Sequence, residues 1–261
     1  MSKRKDCTAL IVTSAGKAAS HLTSGRALPA VVVNPSNLND TAALRARISQ
    51  ICAQLEWAPP LWLETTVEDP GCGQARTARS AGANVVVVCG GDGTVRHVAE
   101  VLAGSGIAMG LLPTGTGNLL ARNMRMAIGD LTRATRIALC GDNRAIDVGR
   151  VLIDNRDEEH VFLVMAGVGF DAAVMAGAPH DLKSRLGPRR ISPPDFVHCL
   201  PPRAGITLTV DGRTEPCRPV RTIVVGNCGR LLGGLVLLPA ARVDDELLDV
   251  ESIGLRASVA G

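Results

Sequence analysis

Two glycine-rich runs hold the residue types that can grip a phosphate. Gly90-Gly91-Asp92-Gly93-Thr94 follows the β-branched run Val85-Val86-Val87-Val88, and Pro113-Thr114-Gly115-Thr116-Gly117-Asn118 follows the apolar stretch Ile107 to Leu112. A turn between a buried strand and a helix aims free backbone N–H groups outward, where they attract anions. Glycine lets the main chain touch such an anion and take positive φ without steric cost. For one such turn alone, the plain reading is a tight strand-to-helix connection with Asp92 as N-cap. The second changes the reading: both loops join a strand to a helix, so in a parallel sheet both lie at the carboxyl edge and predict one nucleotide site. Beside phosphates a carboxylate is repelled unless it organises Mg²⁺ or takes a proton from an acceptor hydroxyl. Asp92 is therefore read as a catalytic group of phosphoryl transfer, with capping as the simpler role.

Other candidate groups are less specific. Asp244-Asp245-Glu246-Leu247-Leu248-Asp249 clusters acids after an apolar run, a pattern that by itself is most often a solvated turn. Lys183, Arg185, Arg189 and Arg190 form the most basic stretch, either a solvated loop or a contact for anionic headgroups. Leu231 to Leu238, with Gly233-Gly234 inside, reads as core strand or as part of an acyl-chain cleft. His97 falls on the polar side of the helix after the first glycine turn and is assigned no catalytic role. The eight cysteines form no C-x-x-C pair and no zinc-ligand spacing with the histidines, so they read as reduced thiols of a cytosolic protein. Neither glycine loop fits G-x-G-x-x-G, which weighs against a dehydrogenase.

The elements that must position these loops follow from periodicity. Ala30 to Val33 reads as a buried strand stopped at Asn34-Pro35. Leu44, Ile48, Ile51, Cys52 and Leu55 share one helix face, with Asn39 or Asp40 as cap. A strand over 60–65, a helix over 74–80, the strand at 85–88, and a helix carrying Val95, Val98, Ala99 and Leu102 follow in turn. Next come the strand 107–112, a helix from about Leu119, and a helix over 131–139 between Asp130 and Gly141. This alternation predicts an α/β domain with a mainly parallel sheet over 29–145, after a tail spanning 1–28. From Ile146 hairpins replace helices: 146–153 with 160–165, and 206–210 with 219–225 across Asp211-Gly212-Arg213, giving a β-rich domain over 146–261.

Bulk properties narrow the class. At 46% hydrophobic and 20% charged residues, the 261-residue chain can bury a core and is not a disordered tail. A net charge of +3 and 2% aromatic residues with no tyrosine argue against a nucleic-acid partner. The apolar run after Lys3-Arg4-Lys5 is too short for a signal peptide, and no stretch reaches the roughly 18 apolar residues of a transmembrane segment. A protein of this kind that works on lipids visits the membrane surface from the cytoplasm.

Seven pieces in order carry a family resemblance: Val31-Val32-Val33-Asn34-Pro35; the GGDGT turn; Leu112 to Arg122; Ile146-Asp147-Val148-Gly149; Ala166-Gly167-Val168-Gly169-Phe170-Asp171-Ala172; Val225-Gly226-Asn227; and Pro239 to Asp249. In these the chain resembles the diacylglycerol kinase and sphingosine kinase catalytic domain family, in its bacterial lipid-kinase branch. The resemblance implies a three-layer α/β nucleotide-binding domain, as in NAD kinases and diacylglycerol kinases, followed by a β-rich sandwich-like acceptor domain. It implies ATP held by Asn34, Thr65, Thr66, Gly91, Asp92, Gly93, Thr94, Gly115, Thr116, Gly117 and Asn118. It further implies a structural Mg²⁺ on Asp245 and the carbonyls of Arg242 and Leu247, a lipid substrate presented at the membrane surface, and leaves a homodimer open. Two departures stand out: Glu246 occupies a position where the family usually has glycine, and a later Asp-Gly-Glu motif, whose glutamate is proposed as base, is absent before Gly261. The acceptor domain is accordingly expected to be incomplete. An NAD kinase, which shares the GGDGT turn, and a non-catalytic nucleotide- or lipid-binding remnant are the rival readings.

Overall fold

The computed structural model describes residues 3–4, 9–14, 26–126, 128–154, 159–169 and 204–253. The Val-rich runs form the parallel centre of a six-stranded sheet. In it β3 (Pro29–Val33) lies between β4 (Leu61–Glu64) and β5 (Val85–Gly90), and β6 (Ala108–Pro113) lies beyond β5. Strand periodicity divides their side chains between two layers. Ala30, Val32, Val86 and Val88 face α2 (Cys72–Ser80) and α3 (Asp92–Leu102), through Ala75, Ala78, Val95, Val98 and Ala99. Val31, Val33, Val85 and Val87 face α1 (Thr41–Gln54) and α5 (Leu131–Cys140), through Leu44, Ile48, Ala134 and Ala138. Strands covered on both faces need continuous apolar sequence, and these have it. Asp40 caps α1 and Asp130 caps α5, accepting from Ala43 N–H (2.8 Å) and Arg133 N–H (2.9 Å).

The amino-terminal stretch departs from expectation. Residues 10–14, read as part of a tail, form β2 (Leu10–Ser14), parallel to β6 and antiparallel to β7 (Asp142–Ile146). Leu10 and Val12 are fully buried in the core. Strand β1 (Lys3–Arg4) joins a second, antiparallel sheet in the order β1, β14 (Leu247–Ile253), β13 (Thr222–Gly226), β10 (Met165–Gly169).

Two hairpins complete the β-rich half. One pairs β8 (Gly149–Leu152) with β9 (Glu159–Phe162); a side chain on Gly149 would collide with the Phe162 ring. The other pairs β11 (Ala204–Val210) with β12 (Arg213–Val220) across Asp211 (φ 52°) and Gly212 (φ 75°). Positive φ at both turn residues matches strand twist, as a two-residue hairpin requires. The expected second strand, 219–225, is thus divided: its beginning closes this hairpin, whereas β13 enters the four-stranded sheet. Leu231 to Leu238 is not a strand. A short 3₁₀ turn, Leu232–Gly234, leaves Leu232, Leu235 and Val236 exposed while Leu238 is buried. Phe170, Asp171, Ala172 and the basic residues Lys183, Arg185, Arg189 and Arg190 lie outside the described residues.

Candidate functional site

Strands β3, β4, β5 and β6 all run the same way, so the residues after them share one edge. Asn34, Thr65, Gly91 and Thr114 are those residues. Chain order moves outward from β3 to β4, then returns past β3 to β5, so the sheet reverses its winding between β3 and β5. A crevice at such a point, outside the carboxyl ends, is where open α/β sheets take ligands.

The two glycine loops touch there. A Cβ on Gly115 would lie 2.5 Å from Gly91 Cα and 3.3 Å from Gly91 N, so the contact is backbone on backbone and requires glycine. On the other side of the first loop, the Asn37 amide reaches within 3.8 Å of where a Gly91 Cβ would stand. Asn37 was not among the expected site residues; its signal was the Asn-Pro turn that carries it. Thr94, buried, packs its Cβ under Gly90 and fixes the turn from below. Helix α3 gains its first internal bond when Val95 N–H donates to Gly91 O (3.1 Å). The N–H groups of Asp92, Gly93 and Thr94 precede that bond and point out of the helix end. Gly93 and Thr116 are exposed and Gly91, Asp92, Gly115 and Gly117 half-buried, which leaves the edge open to a ligand.

Asp92 does not cap its own helix, the simpler of its two readings. Gly91 stands at the cap position of α3, and Asp92 Oδ1 accepts from Leu119 N–H (2.6 Å), the first residue of α4 (Leu119–Asn123). Its second oxygen lies 2.5 Å from where a Gly117 Cβ would be, which explains the second glycine of the PTGTGN loop. Asn118, buried and left-handed at φ 49°, ties that loop to itself: Oδ1 accepts from Gly115 N–H (3.0 Å) and Nδ2 donates to Gly115 O (2.5 Å). Arg122 Nε adds a bond to Gly117 O (2.8 Å). Beneath the loops, burial pushes the Cys89 thiol up to about 11, against the lowering effect of its Thr114 hydroxyl partner.

The other expected contacts are less uniformly placed. Asn34 Oδ1 accepts from Ser36 N–H (3.0 Å), so its side chain shapes the turn after β3. Thr65 is buried one strand farther out, its N–H bonded to Val33 O (2.8 Å). Thr66 is exposed and turned to its own loop, its hydroxyl accepting from Asp69 N–H (3.0 Å).

The expected Mg²⁺ residues belong to a separate junction. Ile146 pairs with Leu10 at the start of β2, so the strand end that delivers Asp147 lies at the opposite, amino edge of the sheet. Asp147, buried, accepts Glu246 N–H on Oδ2 (2.8 Å), and its own N–H donates to Val243 O (2.7 Å). The fully buried Asn227 donates Nδ2 to Asp147 O (2.8 Å) and Leu163 O (3.1 Å). This joins three of the sequence pieces that were noticed only for their order. Glu246 takes φ 60°, a left-handed conformation that glycine adopts without steric cost. Asp245 Oδ1 accepts from Leu247 N–H (3.1 Å) across that turn.

Residues 29–151 match the family model of the diacylglycerol kinase catalytic domain. A Mycobacterium tuberculosis (strain CDC 1551 / Oshkosh) protein named diacylglycerol kinase is 34% identical over 178 residues, covering 66% of this chain and 56% of its own length. A Pseudomonas aeruginosa (strain PAO1) protein named "Probable lipid kinase YegS-like" is 37% identical over 212 residues, covering 77% of this chain and 65% of its own length. The chain thus spans between about half and two-thirds of the curated relatives it matches. A crystal structure of a diacylglycerol kinase from Bacillus anthracis str. Sterne superposes with a TM-score of 0.61 at 19% identity, over 89% of this chain and 75% of that one, and shares the fold. The segment that holds both glycine loops, residues 29–151, thus matches the diacylglycerol kinase catalytic domain family.

Proposed function

We propose that this protein transfers the γ-phosphate of ATP to a hydroxyl of diacylglycerol or a related lipid alcohol. The observation that carries the reading is the backbone contact of Gly91 with Gly115 at the point where the sheet reverses its winding. It presents the free N–H groups of the α3 terminus and the glycine main chain to one ligand, which suits a chain of phosphates. Phosphoryl transfer asks little covalent chemistry of a protein and much positioning and charge neutralisation. Asp92 holds the two loops in register through Leu119 N–H and supplies the negative charge that organises Mg²⁺ or accepts the acceptor's proton. Asp245 with the Arg242 and Leu247 carbonyls would hold a second, structural Mg²⁺, whose chemistry is to fix a turn rather than to meet substrate.

One feature favours a lipid acceptor over a soluble one. Leu232, Leu235 and Val236 stand exposed on a turn next to a cavity of about 390 Å³ lined by Arg125, Arg144, Arg230 and Arg242, with Asp244 paired to Arg144. Apolar side chains beside a basic patch suit the surface of an anionic bilayer. No helix among the described residues is long and apolar enough to cross a membrane. The test supplies γ-labelled ATP with vesicles carrying diacylglycerol, sphingosine or ceramide, and separately with NAD. Label is expected in a lipid product. Label in NAD alone would replace the reading with a ribose kinase, and ATP binding without transfer to any acceptor would leave a nucleotide-binding remnant.

A further inference from the structure

Cys72 is the first residue of α2, while His97 and Glu100 sit three residues apart on α3 and so share a face of it. The helices meet at Gly71, where a Cβ would stand 3.3 Å from His97 Cβ and 3.1 Å from Val98 Cγ2. His97, expected on the solvent side of its helix, is therefore half-buried against α2. Cys72 Sγ lies 3.6 Å from His97 Nδ1. The sulfur, an imidazole nitrogen and a Glu100 carboxylate oxygen all fall within 4.8 Å of one another. None of the three takes part in the phosphate edge or the Asp147 junction.

The spacing suits a specific ion. Zinc bonds of about 2.3 Å to sulfur and about 2.0–2.1 Å to nitrogen, opened to the tetrahedral angle, set a sulfur-to-nitrogen edge of about 3.6 Å. The thiol and imidazole already stand at that edge. Glu100 is exposed, and its side chain can close the third edge by rotating away from its Arg96 partner. Thiolate and imidazole donors select zinc over the hard cations that suit the Asp245 set.

We propose that Cys72, His97 and Glu100 form a Zn²⁺ site that staples α2 to α3, with water in the fourth position. Binding forms Zn–S, Zn–N and Zn–O bonds and releases the Cys72 thiol proton to solvent. One neighbour opposes it. An Arg96 guanidinium nitrogen stands 2.8 Å from His97 Nε2, and another 3.6 Å from Glu100 Oε2. With zinc on Nδ1, Nε2 must carry the ring proton and can no longer accept from Arg96. Arg96 thus competes with the metal for two of its three ligands, and zinc binding sends its side chain to solvent. Helix α3 begins at the GGDGT turn and α2 follows the loop of Thr65 and Thr66, so the staple joins the two segments that flank the phosphate edge.

The test titrates the whole chain, freed of metal, with Co²⁺ and then Zn²⁺, and needs no kinase activity. One Co²⁺ per chain is expected, with a thiolate-to-cobalt charge-transfer band and tetrahedral visible bands, displaced by one Zn²⁺. Both signals should vanish in Cys72→Ser and His97→Gln and persist in Cys140→Ser. Affinity should fall at least about tenfold in Glu100→Gln and rise in Arg96→Gln. If Cys72→Ser fails to fold, protection of Cys72 from iodoacetamide by Zn²⁺, read by mass spectrometry on the parent chain, provides the same decision. A cobalt–thiolate band that survives in Cys72→Ser and His97→Gln overturns the site, as does a folded chain that binds neither metal stoichiometrically or leaves Cys72 unprotected.

Discussion

The glycine edge and the Asp147 junction are built from the same parts and do opposite things. In each, an aspartate accepts a backbone N–H from a distant segment: Asp92 from Leu119 (2.6 Å) and Asp147 from Glu246 (2.8 Å). In each, a buried asparagine bonds to main chain, Asn118 at Gly115 and Asn227 at Asp147 and Leu163. The difference lies in what surrounds them. Asp92 is half-buried among glycines whose N–H groups face outward, whereas Asp147 is 5% exposed and Asn227 0%. The open clasp leaves its backbone accessible, as the proposed phosphate site requires; the closed one spends its bonds on joining 146–149, 225–227 and 243–247.

The sharpest way to break this contrast is to remove charge from the open clasp without removing its bond. In Asp92→Asn the amide oxygen still accepts from Leu119 N–H, so stability measured by urea unfolding should stay within about 1 kcal/mol. Phosphate transfer to a diacylglycerol vesicle should nonetheless fall by about 10³-fold if the carboxylate organises Mg²⁺ or takes a proton. Activity within threefold of the parent would make Asp92 a clasp only, and the two regions would then differ in exposure alone. Gly115→Ala probes the same edge through space instead of charge. Its Cβ would meet backbone at 2.5 Å, which cannot rotate away, so the loops must part. A displacement of that order costs about 10²-fold in activity. Retained activity would show that the loop contact is incidental.

The closed clasp should answer to a different measurement. Asn227→Ala removes the donor from the Asp147 and Leu163 carbonyls in a site without solvent, and should cost about 2–3 kcal/mol in unfolding free energy. ATP affinity, read by calorimetry below the melting range, should change by less than twofold. A tenfold loss of affinity would mean that the junction shapes the nucleotide edge, and the contrast would fail from the other side.

What could be read in advance divides along the same line, between local and distant partners. The glycine loops, the Val85 run and the caps Asp40 and Asp130 were legible because strand, turn and helix signals sit within a few residues of each other. Strand β2 was not: Leu10–Ser14 is a short apolar run whose neighbours β6 and β7 come far later in the chain. The same holds for Thr222–Gly226, whose choice of sheet depends on β10 and β14 rather than on the adjacent hairpin. Asp92 was singled out as a catalytic group, with capping of its own helix as the simpler role; its bond to Leu119, 27 residues away, carried no local signal. Cys72 and His97 are 25 residues apart on different helices, and no motif spacing announces a pair that only packing creates.

The smallest expected effect is also the one with a sign to check. Asn118 and Glu246 both hold left-handed backbone, at φ 49° and φ 60°, where a Cβ costs roughly 1 kcal/mol and glycine costs nothing. Substituting glycine relieves that strain at both sites but removes different things. Asn118 repays its conformation with two bonds to Gly115, so Asn118→Gly should lose more than it gains and destabilise by about 1 kcal/mol. Glu246 contributes to the junction through its backbone N–H, which glycine retains, so Glu246→Gly should stabilise by about 0.5–1 kcal/mol. The pair is measured by urea unfolding under one condition, and opposite signs are the expected outcome. Equal signs would mean that the side chain of Asn118 does not hold the open loop, leaving its shape to the Gly91–Gly115 contact and to Asp92.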